Sequence, residues 1–243
     1  MIYKGIMLSE VPFGNLPIMM KNAGFDFFII DCEHSGFDYK DIARMIITSK
    51  LCGIKAYIRL PDNSRRDITR FLDMGADGLL LPMTNILDDI RQVVKYAKYD
   101  PKGKRGISVF RAHTFYNPPN MIEYMARANE NVKVFAQIET KEGLNNLDEI
   151  ISCDGVDGIF IGPNDLACDL KCLNEPTSTL ILNAISNAVQ KSKEYKKLCG
   201  IISSNTELLK YSKAQGMSAF CVGSELSILI QGLQSTSHKI DNL

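Results

Sequence analysis

The sequence predicts an α/β fold, a (β/α)8 barrel that takes up residues 1–243 as a single domain. Three observations carry this expectation. Eight short apolar runs, rich in Ile, Val, Phe and Leu, read as parallel strands covered on both faces. Amphipathic stretches of helical period lie between them. A weak repeat recurs at 23–30, 74–81, 154–161 and 215–222, each a glycine, one to three small or polar residues, then an apolar run. The repeated glycines, Gly24, Gly75, Gly155 and Gly216, suit the left-handed position that ends a helix before a buried strand.

In chain order, strands are predicted at 5–8, 26–31, 55–59, 78–83, 133–138, 158–162, 199–203 and 218–223. Helices are predicted at 39–51, 64–74, 86–97, 118–129, 143–152, 178–195, 205–214 and 225–233. Ser64 followed by Asp67 reads as a helix cap with an acid in the first turn. No G-x-G-x-x-G follows the first strand, which argues against a doubly wound open sheet.

Composition narrows the function. The chain has 243 residues, 45% hydrophobic, enough for a large core. Its 28 basic and 28 acidic residues cancel, so nothing favours nucleic acid or an anionic membrane surface. An anionic small-molecule substrate has to be met by a local cation or metal. No apolar run approaches the roughly 20 residues of a membrane span, and MIYKGIMLSE lacks the apolar core of a signal peptide. Seven cysteines without a framework point to reduced thiols and a cytoplasmic location. Cys168 and Cys172 are four apart but lack partners at zinc-site spacing, and read as unrelated thiols.

Active sites of such barrels form at the carboxyl ends of the strands. Strand two ends in Asp31-Cys-Glu33-His34, strand three in Arg59-Leu-Pro61, strand four in Pro82-Met83. Strand five ends in Gln137-Ile-Glu139, strand six in Gly162-Pro163-Asn164-Asp165, strand eight in Gly223-Ser224-Glu225. Glu139 and Asp165 would make a hard-oxygen site for a divalent cation. Each residue also has a plain structural role open to it. Glu139 and Asp165 could cap helices, His34 could be a surface histidine, and Arg59 could pair with Asp31 or Glu33. His113 and His238 are expected at the surface.

Taken as a set, D-x-E-H at 31–34, R-L-P at 59–61, L-D-M-G at 72–75, L-P-M at 81–83, Gly103-Lys104-Arg105-Gly106, Q-I-E-T at 137–140 and G-P-N-D-L at 162–166 resemble the HpcH/HpaI aldolase family. These are metal-dependent (class II) pyruvate aldolases acting on 2-keto-3-deoxy-sugar acids or 4-hydroxy-2-oxo acids. The resemblance runs from about residue 5 to residue 230. It implies a barrel of the phosphoenolpyruvate/pyruvate type that cleaves a 2-keto-4-hydroxy acid to pyruvate and an aldehyde, with Mg²⁺, Mn²⁺ or Co²⁺. It implies Glu139 and Asp165 as metal ligands, and Gln137, Asn164 and Asp165 as contacts to substrate. It implies Arg59 beside the developing enolate oxygen, His34 as acid/base, and Asp73 as the aspartate that raises its basicity. A hexamer built from dimers that exchange C-terminal helices is implied too, with Asp73 acting across an interface. Asn164 stands where alanine is common, and the loop around Arg111-Ala112 differs, which leaves the aldehyde open. Two alternative chemistries are a CoA-thioester lyase of the citrate lyase branch and a Schiff-base aldolase using Lys141.

Overall fold

In the computed structural model, which describes residues 1–118 and 120–242, eight parallel strands close in sequential order into a barrel. The strands are β1 (Tyr3–Leu8), β2 (Phe27–Asp31), β3 (Lys55–Arg59), β4 (Gly78–Leu81), β5 (Lys133–Ile138), β6 (Gly158–Ile161), β7 (Leu198–Ile202) and β8 (Ala219–Ser224). The helices are α1 (Leu16–Asn22), α2 (Tyr39–Cys52), α3 (Arg65–Met74), α4 (Leu87–Ala97), α5 (Met121–Asn131), α6 (Lys141–Asn145), α7 (Leu147–Ser152), α8 (Pro163–Asp169), α9 (Thr179–Glu194), α10 (Thr206–Gln215) and α11 (Glu225–Asp241). No helix among the described residues is long and apolar enough to cross a membrane.

All eight predicted strands form, with small shifts at their ends. β4 stops at Leu81 rather than 83 because Pro82 has no N–H for the ladder and Met83 turns to positive φ. Two helices were not predicted. α1 and α8 have seven residues each, too few to show a period. The predicted helix 143–152 divides at Asn146 into α6 and α7, and the Asn146 side chain donates to the Asn85 carbonyl at 2.8 Å. Residue 119 of the predicted helix 118–129 lies outside the described residues; α5 starts at Met121, behind an Asn120 cap. α11 runs past 233 to Asp241 as an exposed, polar extension. Ser64 does cap α3, accepting from the Asp67 N–H at 3.4 Å. The repeated glycines all take positive φ, from +83° at Gly24 to +104° at Gly75.

The inward face of the barrel explains why it closes without a pore. Phe27, Tyr57, Phe135 and Phe160 fill the interior with tilted and edge-to-face contacts; Phe135 and Phe160 lie 5.4 Å apart at 84°. Each aromatic buried this way contributes about 1.5–3 kcal/mol. Glycines make the room. A Cβ at Gly5 would meet the Phe27 ring at 2.2 Å, and one at Gly200 the Phe160 ring at 2.4 Å. A larger apolar layer of Ile, Leu and Val joins the outer strand faces to the helices. The apolar plug leaves polar side chains on β2, β3 and β5 to emerge at the carboxyl end.

Candidate active site

On β2 and β3 the parallel register sets Asp31 opposite Arg59. The two form a bidentate pair. Arg59 Nε donates to Asp31 Oδ1 at 3.0 Å and Nη2 donates to Oδ2 at 2.7 Å. Nη1 lies 3.3 Å from Glu33. Burial pushes the Asp31 carboxyl up, but the Arg59 guanidinium and the Glu33 and His34 amides outweigh it and hold the group below the usual range. Three of the five guanidinium N–H groups face these acids, so two remain for another partner. The structural pairing with Asp31 and a catalytic use are therefore compatible. His34 lies on the loop after β2 with its side chain 69% exposed, its Nε2 3.6 Å from Glu33.

On β5 and β6 the site is built differently. Glu139 follows β5 and is only 2% exposed. It does not cap α6; that role falls to Thr140, whose hydroxyl accepts from the Gly143 N–H. Glu139 instead receives the Met83 N–H on Oε1 at 2.6 Å, and the Gln137 side-chain amide on Oε2. Burial raises its carboxyl above the usual range; those two donors oppose this, and Asp165 and Glu33 add to it. Asp165 sits in the first turn of α8 without capping it, since no side chain bonds that helix end. Asn164 and Asp165 are both exposed at the mouth.

The residues present fit a divalent cation. The Asp165 charge is close enough to push both Glu33 and Glu139 up, and Glu33 adds to the effect on Glu139. Gln137 Oε1 is buried without a hydrogen-bond partner. Gly162 opens a space beside them that a Cβ would fill, 2.4 Å from Glu139 Oε2. No group of three or more His, Cys, Asp and Glu poised to hold a metal occurs among the described residues. Two carboxylates would thus leave coordination positions for substrate and water.

One expectation, a surface His113, needs correction. Asp73 is not on this rim within one chain, and the expected action across an interface is not tested by a single chain. α3 returns antiparallel to the strands, so its last turn lies toward their amino ends; there Asp73 accepts from Arg105 Nη2 at 3.0 Å. His113 is not a surface histidine: its side chain is 4% exposed. Its Nε2 donates to the Ser108 carbonyl at 2.8 Å, its Nδ1 meets the Tyr124 hydroxyl, and Asp73 lies 3.7 Å away. His113 and Arg105 thereby dock the polar loop onto α3. The loop's polar composition hid this, because the partners are remote in sequence. His238 is exposed on α11, as expected. Lys141 is exposed at the start of α6, not in the desolvated pocket a Schiff-base lysine requires. Glu225 is an anchor: its Oε1 accepts from the Ser9, Glu10 and Val11 amides at 2.6–2.9 Å. The Met83 amide has no signature among side-chain patterns, because its side chain carries none of the chemistry.

Comparison with known proteins places the chain in a family. The model of the HpcH/HpaI aldolase/citrate lyase family matches residues 14–232. A hydroxypyruvate/pyruvate aldolase of Roseovarius nubinhibens is 30% identical over 223 residues, covering 91% of this chain and 86% of that one. A 5-keto-4-deoxy-D-glucarate aldolase of Salmonella arizonae is 32% identical over 213 residues, covering 87% and 82%. The crystal structure of an HpcH/HpaI aldolase from Desulfitobacterium hafniense superposes with a TM-score of 0.94 at 25% identity, covering 100% of this chain and 93% of that one. The chain therefore belongs to the HpcH/HpaI aldolase/citrate lyase family and is an aldolase, a carbon–carbon lyase.

Proposed function

We propose that this aldolase depends on a divalent metal and cleaves a 2-keto-4-hydroxy acid to pyruvate and an aldehyde. One observation carries the reading: Glu139 is a buried carboxylate that feels the charges of Asp165 and Glu33, beside an unpartnered Gln137 oxygen and the bare backbone of Gly162. A buried carboxylate with like charges nearby and no cation on its own oxygens is costly unless a positive ion joins it. Glu139 and Asp165 would hold Mg²⁺, Mn²⁺ or Co²⁺. Bound there, the ion would act as a Lewis acid on the keto oxygen and carboxylate of the pyruvate portion.

The remaining work falls to the chain's own side chains. Gln137 and the turn at Asn164 and Asp165 hold the pyruvate portion. Arg59 turns its two uncommitted N–H groups toward the oxygen on which negative charge develops. His34 takes the proton of the C4 hydroxyl. The C3–C4 bond breaks with its electron pair left on the pyruvate portion as an enolate, the aldehyde departs, and a proton delivered to C3 completes pyruvate. An imidazole is the side-chain type suited to taking the hydroxyl proton near neutral pH. Asp73 lies at the other end of its own barrel, so it can orient His34 only from a neighbouring subunit.

Assembly into a hexamer built from dimers that exchange α11 supplies that neighbour. Its support is the exposure of Ile228, Leu229 and Leu233 on α11, beside an apolar groove of about 360 Å³ against α1. Native mass measurement should give six chains; a monomer would remove the role of Asp73. All seven cysteines are free, as a reducing cytoplasm would keep them.

Pyruvate release can be followed by coupling to lactate dehydrogenase and NADH, over a panel of 4-hydroxy-2-oxo acids. EDTA should abolish the signal and Mn²⁺ should restore it. Full turnover in EDTA would contradict the metal reading.

A further inference from the structure

Met83 is the residue in this molecule whose backbone is hardest to explain by packing alone. Its φ is +48°, in the left-handed region that side-chain-bearing residues avoid. Among the described residues, four other non-glycines share positive φ: Phe115, Tyr116, Lys171 and Lys196. Phe115 and Tyr116 close a 3-10 turn, and Lys171 and Lys196 follow helix ends, where such a conformation completes the last turn. Met83 follows no helix. It stands between the end of β4 and the start of α4. A strained residue in such a place persists only when its surroundings over-determine it.

The surroundings do so at one point in particular. With Met83 left-handed, its N–H reaches Glu139 Oε1 at 2.6 Å. The next residues lock the turn in place. The Thr84 N–H donates to the Gln137 carbonyl at 3.2 Å and its hydroxyl to the Leu81 carbonyl at 2.9 Å. Thr140 meets Asn85, and a Cβ at Gly143 would come within 2.5 Å of the Thr84 carbonyl. The turn after β4 and the turn after β5 thus form one rigid unit around a single carboxylate. Glu139 Oε2 is tied by Gln137, so both oxygens are fixed.

We propose that Met83 is a positioning residue, whose strained backbone holds its amide against Glu139 so that the carboxylate is set for a divalent cation before the ion arrives. The role belongs to the backbone conformation and not to the thioether. It rests on the reading of Glu139 as a metal ligand, and the controls separate the two.

The test is Mn²⁺ affinity of the substrate-free protein by titration calorimetry, with thermal melts of the metal-free protein alongside. Three variants are compared. Met83→Ile cannot easily take positive φ, because it is branched at Cβ. Met83→Gly takes it freely. The third replaces the amide with an ester, by incorporating the α-hydroxy acid of methionine at position 83; it removes the N–H and keeps the side chain. Supports of a metal ligand typically change affinity by about 10–100-fold. Met83→Ile and the ester should weaken Mn²⁺ binding by about that factor, and Met83→Gly should bind as the wild type does. If Met83→Ile does not fold, the ester and glycine variants carry the test. Wild-type affinity in the ester, or equal weakening in Met83→Gly and Met83→Ile, would overturn the proposal. Glu139→Gln is the control: if it binds Mn²⁺ as tightly as wild type, the failure lies with the metal reading instead.

Discussion

The two ends of the barrel use the same residue type for opposite purposes. At the amino ends of the strands, three aspartates follow the repeated glycines by two positions: Asp26, Asp77 and Asp157. Each precedes an even-numbered strand and accepts the backbone N–H of the odd-numbered strand before it. The bonds run from Lys4 to Asp26 at 2.8 Å, from Ala56 to Asp77 at 3.0 Å, and from Val134 to Asp157 at 2.9 Å. Lys55 and Lys133 neutralise two of them at 2.8 and 3.0 Å. At the carboxyl ends, Glu33 and Glu139 are raised above the usual carboxylate range, burial being the largest cause for both. Acids that are satisfied staple the barrel shut. Acids held up by burial, Glu139 above all with no cation on either oxygen, gather at the mouth.

This contrast can be broken by substitution, and the largest effect should come at the mouth. Arg59→Lys keeps the charge beside Asp31 but loses the fork that aims two donors inward. Pyruvate-forming activity should fall about 10²–10³-fold, with the melting temperature little changed; activity near wild type would reduce Arg59 to a partner of Asp31. The amino end should give the reverse pattern. Asp77→Ala strands the Ala56 N–H and the Lys55 ammonium, and denaturant unfolding should register a loss of about 1–3 kcal/mol. Turnover per folded molecule should hold; a large loss of kcat without loss of stability would erase the division between the ends.

A subtler effect is expected at His113, between the two ends. Burial, ahead of every other influence, holds its pKa below the ordinary value. The unfolded chain therefore takes up a proton there sooner than the folded one. The stabilising contribution is whole above the unfolded pKa of about 6.5 and shrinks as pH falls toward the folded value. Melting curves of wild type and His113→Gln should accordingly converge between about pH 7.5 and 5.5. A gap that widens over this range would reverse the sign.

How much of this was legible beforehand follows the same division. Strands reveal themselves because burial on both faces demands continuous apolar runs, and the glycine repeat marks each return to the sheet. The polar residues ending those runs reveal the rim. Short elements such as α1 and α8 escape, being held by tertiary packing and not by their own period. The docked His113 escapes because Tyr124 and Ser108 find it only in three dimensions. Asp26, Asp77 and Asp157 stand in plain view within the repeat, yet only the register shows what they bond. Met83 marks the limit: its contribution is a backbone angle, which no side-chain pattern announces.

The central claim is that the carboxyl rim removes and returns protons at the pyruvate methyl through a cation held by Glu139 and Asp165. Proton NMR of pyruvate in D₂O tests it without knowledge of the aldehyde. With Mg²⁺ present, the wild type should erase the methyl signal by exchange, while EDTA or Glu139→Gln should preserve it. Exchange that continues in EDTA, or that survives in Glu139→Gln, would contradict the account.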